Sequence, residues 1–157
     1  MPSVLFVCAA NRCRSALTAA LFHRKLARAG YQGSLRAESA GTWAKEGLRS
    51  PEPVLQAARL SGLDLTDHRS RPVSANLLQQ FSLIVVMEAG QAEALKIEFP
   101  AIADHVRLLT GMAGPEYDVA DPAAMDVAEC LQLTGELEAL LDRGFEQILR
   151  LAGRQLA

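Results

Sequence analysis

At 157 residues, with 50% hydrophobic and 22% charged side chains, the chain has the length and composition of one globular domain rather than of a disordered or fibrous protein. A net charge of −2 argues against nucleic acid as a general partner, no apolar run is long enough to span a bilayer, and residues 1–7 lack the basic start of a secretory signal. Three cysteines without such a signal fit a reducing cytoplasm better than a disulfide framework.

The first predicted element is the apolar strand Val4-Leu5-Phe6-Val7-Cys8, which turns through Ala9-Ala10-Asn11-Arg12-Cys13-Arg14 into a helix starting near Ser15. Such a corner brings the carboxyl end of a strand and the N-terminus of a helix to the same ligand. A loop from Ala9 to Arg14 curled around a tetrahedral oxyanion would point successive N–H groups inward, with the helix adding its positive end and Arg14 a planar charged fork. The same field favours the thiolate of Cys8, since a free thiol of pKa about 8.5 falls to roughly 3.5–7.5 beside a helix N-terminus and a cation. Ser15 is placed to donate a hydrogen bond to that sulfur. A phosphoryl group in the cradle would face a sulfur nucleophile, with amides and Arg14 meeting the charge of the transition state. Cys8 and Cys13, in one loop, are also spaced for a reversible disulfide that protects a reactive thiol.

Leu17, Leu21, Phe22 and Leu26 carry the first helix to about Ala29, where Gly30 ends it. A second strand is predicted at Ser34 to Ser39, with Arg36 and Glu38 marking an edge position. Pro51 opens a short helix through Val54, Leu55, Ala58 and Leu60 that Gly62 closes. Phe81 to Met87 reads as a central parallel strand, Glu88-Ala89-Gly90-Gln91 as the start of a helix lasting to Glu98, and Val106 to Leu109 as a fourth strand. After Gly111 and Gly114, Pro122 biases Asp121 toward an extended conformation in an ordered loop. A last amphipathic helix is expected from about Gly135 to Ala152. No repeat, low-complexity tract or linker interrupts the alternation, so residues 1–157 read as one domain. Residues 1–72 carry 11 Lys/Arg against 5 Asp/Glu, and residues 73–157 carry 5 against 13. Either one face is basic and draws in phosphorylated substrates, or the two sets interleave in space.

Val7-Cys8-Ala9-Ala10-Asn11-Arg12-Cys13-Arg14-Ser15 resembles the V-C-x-G-N-x-C-R-S signature of the low-molecular-weight protein tyrosine phosphatases, with Ala10 in place of the usual Gly and Ala16 in place of a common Pro. The resemblance implies an α/β three-layer sandwich, a central four-stranded parallel sheet of flavodoxin-like order 2-1-3-4 with helices on both faces. It implies catalysis by Cys8, Arg14 and Asp121, with Ala9, Ala10, Asn11, Arg12, Cys13, Arg14 and Ser15 holding the phosphate. Ser39-Ala40-Gly41-Thr42 is similar to a segment whose Ser bonds to the Asn of the cysteine loop, which assigns Ser39 to Asn11. Trp43 then becomes a wall of the substrate cleft, the alternative being an ordinary partly buried aromatic. His68, in Thr66-Asp67-His68-Arg69-Ser70-Arg71-Pro72, becomes a buried partner holding Asn11 and Ser39 rather than a catalytic base. Asp121 becomes the general acid, with Asp118 the fallback, while Ala123-Ala124 stand where the family often has aromatics.

The implied activity is cytoplasmic hydrolysis of phosphotyrosine or similar aryl phosphates through a phosphocysteine. A phosphorylated protein or aryl phosphate would be the partner and inorganic phosphate the product, with no metal, cofactor, nucleic acid or membrane involved. An arsenate reductase shares the loop but needs further cysteines near the third strand. Residues 80–92 contain none, and Cys130 is read as standing alone on a helix. A non-catalytic phosphate-binding or redox-sensing module is the other alternative, and phosphoarginine remains open beside phosphotyrosine.

Overall fold

The computed structural model describes residues 2–153, in which four strands pair in parallel in the order β2-β1-β3-β4. They are β1 (Ser3–Cys8), β2 (Arg36–Gly41), β3 (Leu83–Val86) and β4 (Val106–Leu108). β1 is flanked on both sides, by β2 from Ser3↔Arg36 to Cys8↔Gly41 and by β3 from Val4↔Leu83 to Val7↔Val86. Its side chains alternate between two apolar layers, which is why the run is continuously hydrophobic. Val4, Phe6 and Cys8 meet a layer built by α1 (Arg14–Arg28), α2 (Glu52–Leu60), α5 (Leu109–Ala113) and α6 (Val127–Leu151). Leu5 and Val7 meet α3 (Ala75–Leu78), α4 (Ala89–Glu98) and the 3₁₀ turn Pro100–His105 through Leu78, Leu95 and Ile102. This is the expected three-layer, 2-1-3-4 architecture, with β2 at the edge.

The order places the topological switch between β1 and β3, because the chain leaves β1 toward one edge and returns past it to build the other. The loops after β1 and β3 diverge at that point and open a crevice at the carboxyl ends of the strands. Phe22 fixes α1 there: its ring lies 5.3 Å from Phe6 and 5.7 Å from Phe145, locking the helix between β1 and α6. Arg24 and Lys25 of α1 also pair with Glu138 and Asp142 of α6, so charges of the basic and acidic halves interleave along this face. No described helix is long and apolar enough to cross a membrane.

Three expectations need correction. The last helix begins at Val127, eight residues before the expected start, because Asp126 caps it by accepting from the Glu129 N–H at 2.9 Å, while the Glu129 carboxylate accepts from the Ala124 N–H. The Asp-x-x-Glu pattern was present and is a capping signal, whereas Gly135 merely sits within the helix. Leu109 does not continue β4; Leu108 and Leu109 are buried on opposite faces of the sheet as the chain turns into α5. α3, α5 and the 3₁₀ turn were not anticipated, since segments of four to six residues carry too little periodicity to register.

Candidate active site

β1 delivers Cys8, only 2% exposed, to the floor of the loop that leads to α1. Ser15 Oγ lies 3.0 Å from Cys8 Sγ, and the Ser15 N–H donates to the same sulfur at 3.4 Å. The first N–H groups of α1 have no intrahelical acceptors, so the positive end of the helix is presented to this sulfur. The loop's left-handed residue is Asn11 (φ 57), not Ala10. Asn tolerates that conformation, which explains how Ala10 replaces a glycine without strain.

Asn11 is the buried hub of the loop. Its Nδ2 donates to Ser15 Oγ at 2.8 Å and to Ser39 Oγ at 3.0 Å, its Oδ1 accepts from the Arg71 N–H at 3.1 Å, and its carbonyl lies 2.7 Å from His68 Nε2. The expected Ser39 contact is therefore present. His68 is half-buried and reaches Asn11 alone. The expectation that it also holds Ser39 fails because Arg71 Nε takes the Ser39 carbonyl at 2.9 Å. Arg71, not singled out from sequence, thus braces both Asn11 and Ser39, and its far end pairs with Glu38. Burial alone would raise the Glu38 carboxyl, but hydrogen bonds from Arg36 and Arg71 outweigh it and hold the group below its ordinary value.

Gly41 allows β2 to approach this loop: a Cβ there would lie 2.4 Å from the Ala9 carbonyl oxygen. The next two N–H groups, of Thr42 and Trp43, donate to the carbonyls of Cys8 and Ala9 at 2.9 and 2.8 Å. Trp43 is consequently anchored to the loop after β1 by its backbone while its side chain is 89% exposed, which overturns the reading of it as an ordinary partly buried aromatic.

Arg14 is 2% exposed and faces two carboxylates. One terminal nitrogen donates to Glu88 Oε2 and to the Val119 carbonyl, both at 2.7 Å; the other donates to Asp121 Oδ2 at 3.2 Å. Nε lies 3.0 Å from Asp121 Oδ1 but is not aligned for a hydrogen bond, so that contact is ionic. Burial alone would lower the guanidinium pKa; the Glu88 hydrogen bond and the Asp121 charge outweigh it and raise the value. In sequence Glu88 looks like a helix start and no more, and the signal of a further role is its place just past a central strand at the switch point. Gln91 holds it, donating to Glu88 Oε2 at 3.0 Å and accepting from the Glu88 N–H at 3.1 Å. Asp121 arrives on a loop pinned by the Val119 N–H to the Met87 carbonyl at 2.9 Å. Asp118, the fallback acid, instead accepts from the Ala89 N–H at 2.8 Å and caps α4.

Cys13 is buried at the N-cap of α1, where burial first and then the Asp121 charge and the neighbouring thiols push its thiol pKa far up. Cys130, read as standing alone on a helix, is buried in α6 with its Sγ 3.7 Å from Met125 Sδ, and burial raises its pKa too. A surface groove of about 1020 Å³ runs along α4 and β4 and takes no wall from residues 8–15, so a large groove does not by itself mark the reactive site. What the site offers chemically is a sulfur nucleophile beneath a helix N-terminus, bonded to Ser15, and on the same helix start a cationic fork that binds a carboxylate from the facing loop.

A family model described as low molecular weight phosphotyrosine protein phosphatase matches residues 3–152. The chain is 31% identical over 156 residues to the low molecular weight protein-tyrosine-phosphatase YfkJ of Bacillus subtilis, covering 95% of this chain and 94% of that one. Among solved structures, it superposes on a low molecular weight protein tyrosine phosphatase from T. tengcongensis with a TM-score of 0.87, 29% identity and coverage of 94% and 99% of the two chains. It superposes equally well on a YwlE arginine phosphatase, a Cys-to-Ser mutant with a phosphorylated active-site serine, with a TM-score of 0.86, 27% identity and coverage of 94% and 95%.

Proposed function

The chain belongs to the low molecular weight phosphotyrosine protein phosphatase family, a family of hydrolases, and from that membership and the site geometry we propose that it hydrolyses phosphotyrosine or a similar aryl phosphate through a phosphocysteine. The observation that carries this reading is the placement on one strand-to-helix corner of Cys8, bonded to Ser15 at the start of α1, and of Arg14, whose guanidinium bonds Asp121 from the facing loop. Residues 9–15 cradle the phosphate, and the Arg14 edge that faces Asp121 takes two of its oxygens. Cys8 Sγ attacks phosphorus in line as the bond to the aryl oxygen breaks, and Asp121 gives that oxygen its proton. Asp121 then takes a proton from water, which attacks phosphorus and expels Cys8 with Ser15 Oγ bonded to the departing sulfur. The product is inorganic phosphate. Asn11, Ser39 and His68 keep the loop in shape throughout.

Trp43, exposed and tied by its backbone to the phosphate loop, supports an aryl substrate by offering a flat wall. A second reading, phosphoarginine, draws on the carboxylates Glu88 and Asp121 at the site and on the likeness to an arginine phosphatase. A turnover panel of phosphotyrosine, phosphoserine, phosphoarginine and arsenate separates the possibilities. Phosphotyrosine should lead by about tenfold or more, and Cys8→Ser should abolish turnover while keeping phosphate affinity. Equal turnover by Cys8→Ser would refute the mechanism, and arsenate reduction would move the assignment to a reductase. Cys13 serves Cys8 as a redox partner in this proposal: peroxide should inactivate reversibly in the intact protein and irreversibly in Cys13→Ser, and irreversible loss in the intact protein would refute the pairing.

A further inference from the structure

Building on the phosphatase reading, we propose that Lys45 and Arg49, together with Arg12, form a cationic rim on the Trp43 side of the site that selects phosphotyrosine segments flanked by acidic residues. The loop over residues 42–50 is exposed yet fastened along its length. Its start hangs from the carbonyls of Cys8 and Ala9, and its end meets the phosphate loop where Arg12 Nε donates to the Arg49 carbonyl at 2.8 Å. Its middle is tied to Ser70: the Gly47 N–H donates to the Ser70 carbonyl and the Ser70 N–H to the Leu48 carbonyl, both at 2.8 Å, while the Leu48 N–H donates to Ser70 Oγ at 3.0 Å. Lys45 and Arg49 therefore project from a backbone whose position relative to Cys8 is set by hydrogen bonds.

Their charge is uncommitted. Arg24, Lys25, Arg36, Arg59 and Arg71, of the same half of the chain, each pair with a carboxylate. Among the described residues, no carboxylate pairs with Arg12, Lys45 or Arg49, and Glu46 is the one acidic residue on their loop. The opposite side of the site carries Glu88 and Asp121. The mouth is thus polarised, positive toward Trp43 and negative toward the acid loop. Once the phosphate is anchored over Cys8, a side chain one or two positions along an extended peptide lies roughly 3–7 Å farther out, a step shorter than the Debye length of about 8–10 Å over which the rim charges act. Aspartate or glutamate there is attracted and lysine or arginine repelled.

The test uses two phosphotyrosine peptides, one flanked by aspartates and one by lysines, alongside a small aryl phosphate. The intact protein should favour the acidic peptide by about tenfold in kcat/KM at low salt and by about twofold at about 0.5 M salt. Lys45→Gln combined with Arg49→Gln should bring the low-salt ratio near one and leave aryl phosphate turnover unchanged. Lys45→Glu combined with Arg49→Glu should invert the preference, which loss of loop structure alone does not produce. A wild-type ratio near one, or a ratio untouched by the glutamate pair, overturns the rim. Peptide affinities of Cys8→Ser, read by calorimetry, give the same ratio without turnover. A protein that prefers the acidic peptide but hydrolyses nothing thus counts against the phosphatase reading alone, whereas equal affinities, or binding of neither peptide, count against the rim.

Discussion

Replacing Asn11 by Ala is the sharpest probe of how the phosphate loop is held. The substitution deletes three side-chain hydrogen bonds, to Ser15 Oγ, Ser39 Oγ and the Arg71 N–H, at a fully buried position. At about 0.5–1.5 kcal/mol net for each bond, with the orphaned partners pushing toward the upper end, the loss is about 2–4 kcal/mol. The left-handed backbone adds roughly 1 kcal/mol, because alanine lacks the short polar side chain that makes that conformation tolerable for asparagine. The total is about 3–5 kcal/mol, or a fall in Tm on the order of 10 °C for a chain of this length. Calorimetric unfolding of wild type and variant measures it, and Ser39→Ala, which removes one bond, should cost about 1 kcal/mol as an internal standard. Aryl phosphate turnover should fall by about 10²-fold or more, since the sulfur and the amides lose their register. A variant that loses less than about 1 kcal/mol would show that Asn11 is not the hub, and the account of Ser39, His68 and Arg71 as supports would fall with it.

Asp121→Ala should slow an unactivated phenyl phosphate, whose leaving group has a pKa near about 10, by about 10²-fold or more, and an activated nitrophenyl phosphate by far less; equal slowing in a leaving-group series would remove it as the acid. Gly41→Ala drives a methyl group into the Ala9 carbonyl and should cost about 2–3 kcal/mol by urea unfolding together with most of the turnover, and a neutral result would contradict the close approach. Glu38 has a folded-state pKa held below its ordinary value, so its contribution is present above that value of 4.5 and lost as the pH falls through the depressed one. Glu38→Gln should therefore cost roughly 1–2 kcal/mol near neutrality and approach nothing in strong acid, and a pH-independent difference in urea midpoints would refute the linkage.

The parts of the site that could be read from sequence are those carried by contiguous chain. Cys8, Ser15 and Arg14 lie within eight residues of one another, across a strand-to-helix corner whose apolar run and helical spacing are both strong signals. The sheet order followed from the resemblance, and the edge character of β2 from Arg36 and Glu38, which sit where one face is wet. Contacts made across the crevice were harder to read. Glu88 meets Arg14 across 74 positions and Arg71 meets Asn11 across 60, and neither has a local pattern that distinguishes it from a helix opener or a solvated arginine. His68 was correctly linked to Asn11 but wrongly to Ser39, because a sequence shows which residue types gather and not which acceptor each donor takes.

The two carboxylates around Arg14 differ in a way that bears on the proposed reaction. Glu88 is tethered by Gln91 and bonds the guanidinium nitrogen that also holds the Val119 carbonyl, so this side of the fork is occupied by fixed structure. Asp121 faces the remaining edge from a loop, with a longer hydrogen bond at 3.2 Å and a misaligned ionic contact. An incoming phosphate dianion competes with the looser partner rather than the clamped one, because displacing Glu88 would strip a buried guanidinium of its best bond. In the proposed reaction, entry of phosphate into the fork would free the Asp121 carboxylate from Arg14, and the proton it then gives the leaving oxygen would be taken up from solvent. In that proposal the cation that would bind the substrate is also the group that keeps the acid nearby, and burial of that cation makes Glu88 a requirement of the arrangement.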